Sequence, residues 1–575
     1  MKVSLGIATT NKRMFPLMAT ALLSAALIAG CSGNGNQPAG AVAEGKATNT
    51  KANAAAADSA KSDNSAKTEK ISYRLGDVVN PEQANNFNPF LKTGNYRPVF
   101  DYIYDALYYF NPVEGKLINR LAADGGAWSD DGKTFTVKLN LAAKWHDGQP
   151  FTAEDVAYTF QALKDHPVLD SYQLWNESRL TQVEASAQDT IVFQLNSPFP
   201  SLPNYLSTVP IVPKHIFEKE DPETFLNKTP IGTGAFVFRS INESAILLDA
   251  NPDFFEGAPK ITELVIQRFK DSPAVTLSLQ KGEIQGTTGT IAMPSLPKLL
   301  ENKDNKLQQF PGLASYAVII NNEKPGLKDP AVRKAIQQAI NREEVVEKGE
   351  MGAATVGNPG FLSQGFGSLV DAELASKPEL QFNLEQANKT LTDAGYAKNG
   401  KGIYEKDGVK LSFTYYMAAN APAQNKEGAM ITEWLKQAGI ETTIKLATWP
   451  ELTSLATAGN YDLIQNGITV PPDPQAALEV FHSKMTAPSG QNAPGLNWAR
   501  FRDDQIDGWL DQAASAGPDE RAELYKKVQA RIAEVVPIVT LYSTGKIPYS
   551  ETAFANYDTS VPATSVLSLA KVTKK

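Results

Sequence analysis

The chain has 575 residues and a single cysteine, Cys31. One cysteine can form neither an intrachain disulfide nor a cysteine metal cluster. The chain is also too long for one ordinary core, so we expect two or three domains. Hydrophobic residues make up 42% and charged residues 21%, which is typical of a globular, water-soluble protein. The net charge of −8, without a dense Lys/Arg block, argues against a nucleic-acid partner.

The position of Cys31 indicates export and lipid attachment. A basic segment ending at Arg13 precedes an apolar stretch, 14–28, that is too short to span a membrane and is typical of a cleaved secretory signal. Residues 28–31, Ile-Ala-Gly-Cys, resemble a bacterial lipobox. This resemblance implies a lipid on Cys31 and cleavage just before it. The alternative is a chance cysteine after a signal peptide that is cut elsewhere.

Residues 1–30 are therefore predicted to be a lipoprotein signal peptide, and residues 31–70 a lipid anchor and disordered tether. The tether contains one valine, Val42, and no Leu, Ile or aromatic residue. Such a segment cannot bury enough apolar surface to offset the entropy lost on ordering. As a flexible coil it would reach roughly 35 Å, enough to hold a folded body near a membrane surface.

From Ile71 onward, strand and helix patterns alternate without an internal repeat, which indicates an α/β body. Residues 134–139 alternate as a half-buried strand. Thr152 to Asp155 has the pattern of a capping box, and Asp329-Pro330 is typical of a helix start. The second helix has a predicted buried stripe of Val332, Ala335, Ile336, Ala339 and Ile340, with Arg333, Lys334 and Arg342 predicted to be exposed. Residues 384–394 and 429–438 are further predicted helices, each ended by a glycine.

Several segments follow one another in a recognisable order. Residues 121–160 contain a tryptophan, a Ser-x-Asp-Gly-Lys-Thr turn, a strand, His-Asp-Gly-x-Pro and Thr-Ala-Glu-Asp-Val. Related motifs follow at 230–234, 251–254, 279–284 and 321–342. Together they resemble family 5 of the bacterial extracellular solute-binding proteins, the peptide/nickel family. The resemblance covers the chain from about Ile71 to its C-terminus.

The resemblance implies a two-lobed, periplasmic-binding-protein-like α/β fold with three discontinuous domains and a hinged interlobe cleft. By analogy, the predicted boundaries are 71–112, 229–317 and 531–575 for domain I, 113–228 for domain II, and 318–530 for domain III. The chain would cross between the lobes near Val318 and near Val535–Pro537. Closure of such a cleft buries a ligand, and reopening releases it.

The implied function is that of the extracytoplasmic substrate-binding component of an ABC importer. It would be a lipid-anchored monomer on the outer face of a bacterial membrane that passes a peptide or peptide-like solute to permease subunits. Alternatives on the same fold are a carrier of a metal chelate such as nickel or haem, and a peptide-signal sensor or chaperone.

No enzyme, cofactor or resident metal is predicted. The histidines, His146, His166, His215 and His482, are scattered and form no His-Glu-x-x-His or His-x-His pair. His146 belongs to the turn before the capped helix, where a hydrogen-bonded role is expected. No Gly-x-Ser-x-Gly motif is present either.

The resemblance also points to ligand contacts. In many peptide-binding relatives, an aspartate three residues before a later Asp-Pro holds the peptide ammonium; here that position is Val470, before Asp473-Pro474. Valine cannot pair with an ammonium, so we expect longer, modified or uncharged peptide-like ligands. Asp473 would be either a turn cap or a ligand contact. The predicted ligand-binding residues are Tyr316, Asn321, Trp449, Gly467, Val470 and Asp473, with core packing as the alternative for Tyr316 and Trp449 and a hinge position as the alternative for Asn321.

Overall fold

The computed structural model describes residues 70–79, 85–91, 95–171, 173–175, 179–289, 291–469 and 471–575. The predicted signal peptide, Cys31 and the tether as far as residue 69 lie outside the described residues, and so does Val470. None of the helices in the described part of the chain is long and apolar enough to cross a membrane.

Strands and helices alternate along the described chain. The strands are β1 Ser72–Val78, β2 Tyr108–Asn111, β3 Lys116–Asn119, β4 Ala127–Trp128, β5 Thr134–Lys138, β6 Leu180–Ala187, β7 Thr190–Leu195, β8 Phe236–Ile241, β9 Ala245–Ala250, β10 Glu263–Phe269, β11 Gly286–Thr287, β12 Asn305–Ile320, β13 Thr355–Val356, β14 Ala397–Lys398, β15 Tyr404–Lys406, β16 Val409–Lys410, β17 Ser412–Ala418, β18 Glu441–Ala447, β19 Leu463–Ile468, β20 Ile538–Ser550, β21 Phe554–Ala555 and β22 Thr573–Lys574. The α-helices are α1 Phe100–Ile103, α2 Ala153–Asp165, α3 Leu202–Leu206, α4 Lys214–Phe217, α5 Ser272–Gln280, α6 Leu296–Leu299, α7 Pro330–Ala339, α8 Arg342–Glu344, α9 Leu384–Asp393, α10 Pro422–Gln437, α11 Trp449–Ala458, α12 Pro474–Leu478, α13 Asp504–Ser515, α14 Pro518–Val535 and α15 Val566–Leu569.

One large mixed sheet organises the fold. Its strand order is β18-β17-β19-β12-β20-β11-β1-β10-β9-β8, and β13 also pairs with β20. The two longest strands, β12 and β20, lie in the middle and pair antiparallel from Asn305–Ser550 to Ile319–Ile538. Strands from predicted domain III lie on one side of this pair and strands from predicted domain I on the other. The two lobes are therefore joined through β12 and β20.

A separate sheet, β4-β5-β7-β6, forms the predicted domain II together with α2. The alternating strand predicted at 134–139 is β5, where Phe135 and Val137 are buried. Helix α2 begins at the predicted capping box, because the Thr152 side chain and the Asp155 carboxylate each bind the other residue's backbone N–H. Phe160 of α2 packs edge-on against Phe193 of β7, at 5.2 Å between ring centroids. The helix thus covers the inner face of this sheet.

Helix α7 confirms most of its predicted pattern. Asp329 caps it by accepting a hydrogen bond from the Ala331 N–H, and the whole predicted stripe is buried. The prediction that Arg333 and Arg342 are exposed is wrong, because both are buried. Their guanidinium groups donate to backbone carbonyls that would otherwise lack partners. A helical pattern predicts exposure for a charged residue, because it contains no information about backbone carbonyls from distant segments.

The second predicted crossing lies between α14 and β20. Val536 has φ of 50°, which is unusual for a β-branched residue, and the α-helical region is disfavoured there because Pro537 follows. The Arg333 Nε–H donates to the carbonyls of Val535 and Val536, at 3.0 and 3.1 Å, and its Nη1 donates to Leu327 at 2.8 Å. Arg333 therefore ties α7 to the turn at which the chain leaves α14.

Candidate functional site

A cavity of about 600 Å³ lies where the three predicted domains meet. Most of its wall comes from predicted domain I, including β12 and β20. Ser207 and Thr208 contribute from predicted domain II, and Pro472 from predicted domain III. A ligand in this cavity would touch both lobes at once, as an interlobe cleft requires.

The cavity wall contains a break in the central pair of strands. The register of β12 and β20 shifts between Phe310, opposite Gly545, and Ser315, opposite Ser543, so the backbone at 311–314 has no pairing partner on β20. Gly312, Leu313 and Ala314 of β12 and Thr544 to Ile547 of β20 all line the cavity. The wall thus presents main-chain groups beside the cavity, where an extended ligand could pair with them.

Glycine is required at this break. A Cβ on Gly312 would lie 2.0 Å from the Thr544 carbonyl oxygen, which no side chain can tolerate. The two backbones therefore approach each other more closely than any other residue would allow.

Two smaller cavities adjoin the main one. A cavity of about 340 Å³ shares Asp101, Tyr109, Ser207 and Thr208 with it. Another of about 200 Å³ shares Phe310, Thr544 and Gly545. Each of the two smaller cavities therefore borders the main one.

A buried charged cluster lies beside the main cavity. Lys546 lines the cavity but forms an ion pair with Glu350, and both side chains are buried. Glu427 of α10 is fully buried, and its Oε2 accepts from the Gln465 side chain at 2.6 Å. Burial, reinforced by the Glu350 carboxylate, raises the pKa of Glu427 from 4.5 to about 8. Lys546 is therefore already neutralised by the protein, and Glu427 carries a proton at neutral pH.

The lobes also touch beside the cavity. Asp473 is fully buried, caps α12 by accepting from the Ala476 N–H, and accepts at 3.2 Å from the Asn204 side chain across the cleft. Arg179 and Glu479 form a second contact between predicted domains II and III, at 3.6 Å. Opening the cleft would break both contacts.

Of the other predicted contact residues, Tyr316 and Asn321 make contacts inside the protein, whereas Trp449 is partly exposed. Tyr316 stacks on Tyr542, at 4.9 Å and 17° between the rings, and pairs with Gly467 across β12 and β19. Asn321 is fully buried and donates to the carbonyls of Gly459 and Tyr461, so its amide holds the backbone together. Trp449 is 39% exposed at the start of α11.

None of these residues, nor Asp473, lines the three cavities described above, although Pro472 lines the main one. Their role in ligand binding stays a prediction, as does that of Val470. Sequence reasoning missed Asp101, Tyr109 and Phe310. The only local signal for the first two was a run of aromatic residues and two aspartates at 100–110.

His146 has the expected role in its turn. Its Nδ1 accepts from the Gly232 N–H at 3.2 Å, and its Nε2 faces the Gly234 carbonyl at 3.0 Å. Burial lowers its pKa. In the described ranges, no three His, Cys, Asp or Glu side chains form a group that could hold a metal ion.

The family model of bacterial extracellular solute-binding proteins, family 5 Middle, matches residues 116–488, more than half of the sequence. The chain belongs to this family. Among its relatives, the oligopeptide-binding protein AppA of Bacillus subtilis is 29% identical over 436 residues, which cover 72% of this chain and 76% of AppA.

Solved structures agree with the fold. AppA in complex with a nonapeptide has a TM-score of 0.69 at 23% identity, covering 88% of this chain and 99% of AppA. The periplasmic oligopeptide-binding protein of Thermotoga maritima has a TM-score of 0.80 at 22% identity, with coverage of 88% and 100%. NikA of Brucella suis, in complex with Fe(III)-EDTA, has a TM-score of 0.75 at 21% identity, with coverage of 87% and 100%. The predicted two-lobed, periplasmic-binding-protein-like fold is confirmed.

Proposed function

We propose that this family 5 protein is the substrate-binding component of an ABC importer and carries a peptide in extended form. The observation that supports this most directly is the register break, which places the main chain of 312–314, without residue partners on β20, beside an interlobe cavity. A peptide backbone offers matching donors and acceptors whatever its side chains are. The bound nonapeptide in AppA fits the same class of ligand.

The chemistry of the cavity wall also supports a peptide ligand. Aromatic rings of Tyr109, Phe110 and Phe310 supply apolar surface, and hydroxyl groups of Ser207 and Thr208 supply polar contacts from predicted domain II. Pro472 adds a contact from predicted domain III, so ligand binding favours the closed form, in which all of these contacts are made together. Ligand release to permease subunits would then follow from reopening.

The anchoring belongs to the same proposal. A lipid on Cys31 and the tether after it would hold a monomeric body at the extracytoplasmic face of a bacterial membrane, close to the permease. The protein would act as a carrier and leave its peptide intact.

Native mass spectrometry of the purified full chain, mixed with a random nonapeptide pool, tests the ligand class. Ala314 lines the main cavity, so Ala314→Trp should fill it and abolish peptide retention. Ala142→Trp, at an exposed turn away from the three cavities, is the control and should retain peptide as the wild type does. Retention of a nickel chelate but no peptide, or equal retention by Ala314→Trp, would contradict the proposal.

A further inference from the structure

The cavity of about 340 Å³ forms a side pocket of the cleft with an unusual distribution of charge. Aromatic rings of Phe100, Tyr104, Tyr108 and Tyr109 make up much of its wall. It shares Asp101 and Tyr109 with the main cavity, so a group of a ligand in the main cavity can extend into it.

Two charges of the side pocket already neutralise each other. Arg120 donates to Asp105 through Nε at 3.1 Å and Nη2 at 2.7 Å, and both side chains are buried. Arg120 also forms an ion pair with Glu256 at 2.5 Å. This arginine therefore has no spare charge to offer to an anionic ligand.

Asp101 differs from these residues. It is exposed within the cleft, and its carboxylate has no hydrogen bond or ion pair with any of the described residues. Enclosure by the surrounding protein raises its pKa, and Asp105 adds to that rise, whereas Arg97 and Arg120 oppose it. The guanidinium group of Arg97 lies over the Phe100 ring at 5.8 Å and forms no ion pair with Asp101. The side pocket thus contains a carboxylate without a hydrogen bond or ion pair among the described residues, and Arg97 contributes a positive charge to the same wall.

A second, independent feature also points to a ligand. Tyr108 is 2% exposed and lines the side pocket, yet its hydroxyl has no hydrogen-bond partner among the described residues. A buried hydroxyl without a partner costs about 1–3 kcal/mol, so such a group is uncommon unless something else binds it.

We propose that the side pocket binds a primary ammonium group of the ligand, with Asp101 as its counter-ion. The surrounding aromatic rings favour a cation over an anion. The ammonium belongs either to the N-terminus of a peptide or to a lysine side chain. This inference rests on the proposed peptide binding.

The proposal also changes the expectation drawn from Val470. That expectation considered only the loop before Asp473, which belongs to predicted domain III. Asp101 lies on predicted domain I, so a charged group can be neutralised from the opposite wall of the cleft. A free ammonium is then favoured even though the loop position is a valine.

Three nonapeptide pools of otherwise random sequence separate the two sources of the ammonium. One pool has free N-termini and no Lys, Arg or His. The second has the same composition with acetylated N-termini. The third is acetylated and contains one lysine. The full chain is mixed with each pool, and the retained peptides are measured by native mass spectrometry.

The wild type should retain the first or the third pool about 10- to 100-fold better than the second, as expected for a charge-assisted hydrogen bond. Preference for the first pool identifies the N-terminus, and preference for the third identifies lysine. Asp101→Asn should remove the preference while still retaining peptides. Asp130→Asn removes an aspartate from an exposed turn away from the cavities and should keep the preference.

A wild type without any preference, or an Asp101→Asn variant with the wild-type preference, would overturn the ammonium site while leaving peptide binding intact. Retention of no pool by any variant would instead overturn the proposed function and, with it, this inference.

Discussion

Glu427 allows a quantitative prediction about pH and stability. Its pKa is raised from 4.5 to about 8, so between these pH values the folded chain keeps a proton that the unfolded chain releases. The contribution of Glu427 to the free energy of unfolding then falls as pH rises, by about 1.4 kcal/mol per pH unit for one proton. This loss begins near pH 4.5, ends near pH 8, and amounts to at most about 5 kcal/mol.

Glu427→Gln removes the titration and keeps the shape of the neutral acid, including an oxygen that can accept from Gln465. Its stability relative to the wild type should be constant below pH 4.5 and should rise by about 1.4 kcal/mol per unit up to pH 8. Urea unfolding, followed by tryptophan fluorescence in steps from pH 4 to 8.5, measures the difference.

The other titrating groups cancel in this comparison, because wild type and variant share them. Glu433→Gln, an exposed position on the same helix, is the control and should remain parallel to the wild type. Parallel curves for Glu427→Gln and the wild type between pH 5 and 8 would refute the argument, because the buried carboxyl would then titrate as it does in water.

Three further predictions concern the turn, the lobes and the anchor. Arg333→Met should lower the free energy of unfolding by about 2–5 kcal/mol, because it leaves buried backbone carbonyls without a hydrogen-bond donor. Lys334→Met on the same helix should change the free energy of unfolding by less than about 1 kcal/mol. Urea unfolding measures both variants. Asn204→Ala removes one contact between the lobes, so peptide affinity should fall about fivefold without loss of stability. Calorimetry measures the affinity, and small-angle scattering measures the opening of the cleft. Unchanged affinity would contradict the role given to the contact with Asp473. Cys31→Ser should abolish metabolic labelling with a tagged fatty acid, and equal labelling of wild type and variant would exclude the lipobox.

Local patterns were sufficient to predict much of the fold. The capping box at Thr152, the N-cap at Asp329 and the alternation in β5 depend on residues close together in sequence, and the structure has all three. The helix predicted at 429–438 begins earlier in the structure, at Pro422. The prediction missed its first turns because Gly428 and the polar residues there weaken the helical pattern. The two-lobed arrangement came from the family resemblance, since periodicity gives no information on which strands become neighbours.

The cleft was harder to predict because its wall is built from segments that are far apart in sequence. Its wall combines 101–112, 207–208, 287–289, 310–314 and 544–547, which no sequence window brings together. The buried arginines show the same limit, since Arg333 is stabilised by carbonyls about 200 residues away, at Val535 and Val536. The sequence pattern predicts that a charged side chain is exposed to water, whereas in the fold backbone carbonyl groups accept the hydrogen bonds of Arg333.

The charged groups of the cleft also come from segments that are far apart in sequence. The valine at the single loop position 470 predicts a cleft that does not require a charged peptide N-terminus. A cavity, however, responds to all charges that face it, whichever segment they come from. Lys546 is neutralised by Glu350, and Arg120 by Asp105, whereas Asp101 has no such partner in the part of the chain that the structure describes. Of the acids discussed for this cleft, Asp101 is therefore the one still available to a ligand, and a loop that has lost its acid does not imply a cleft that has lost its preference for cations.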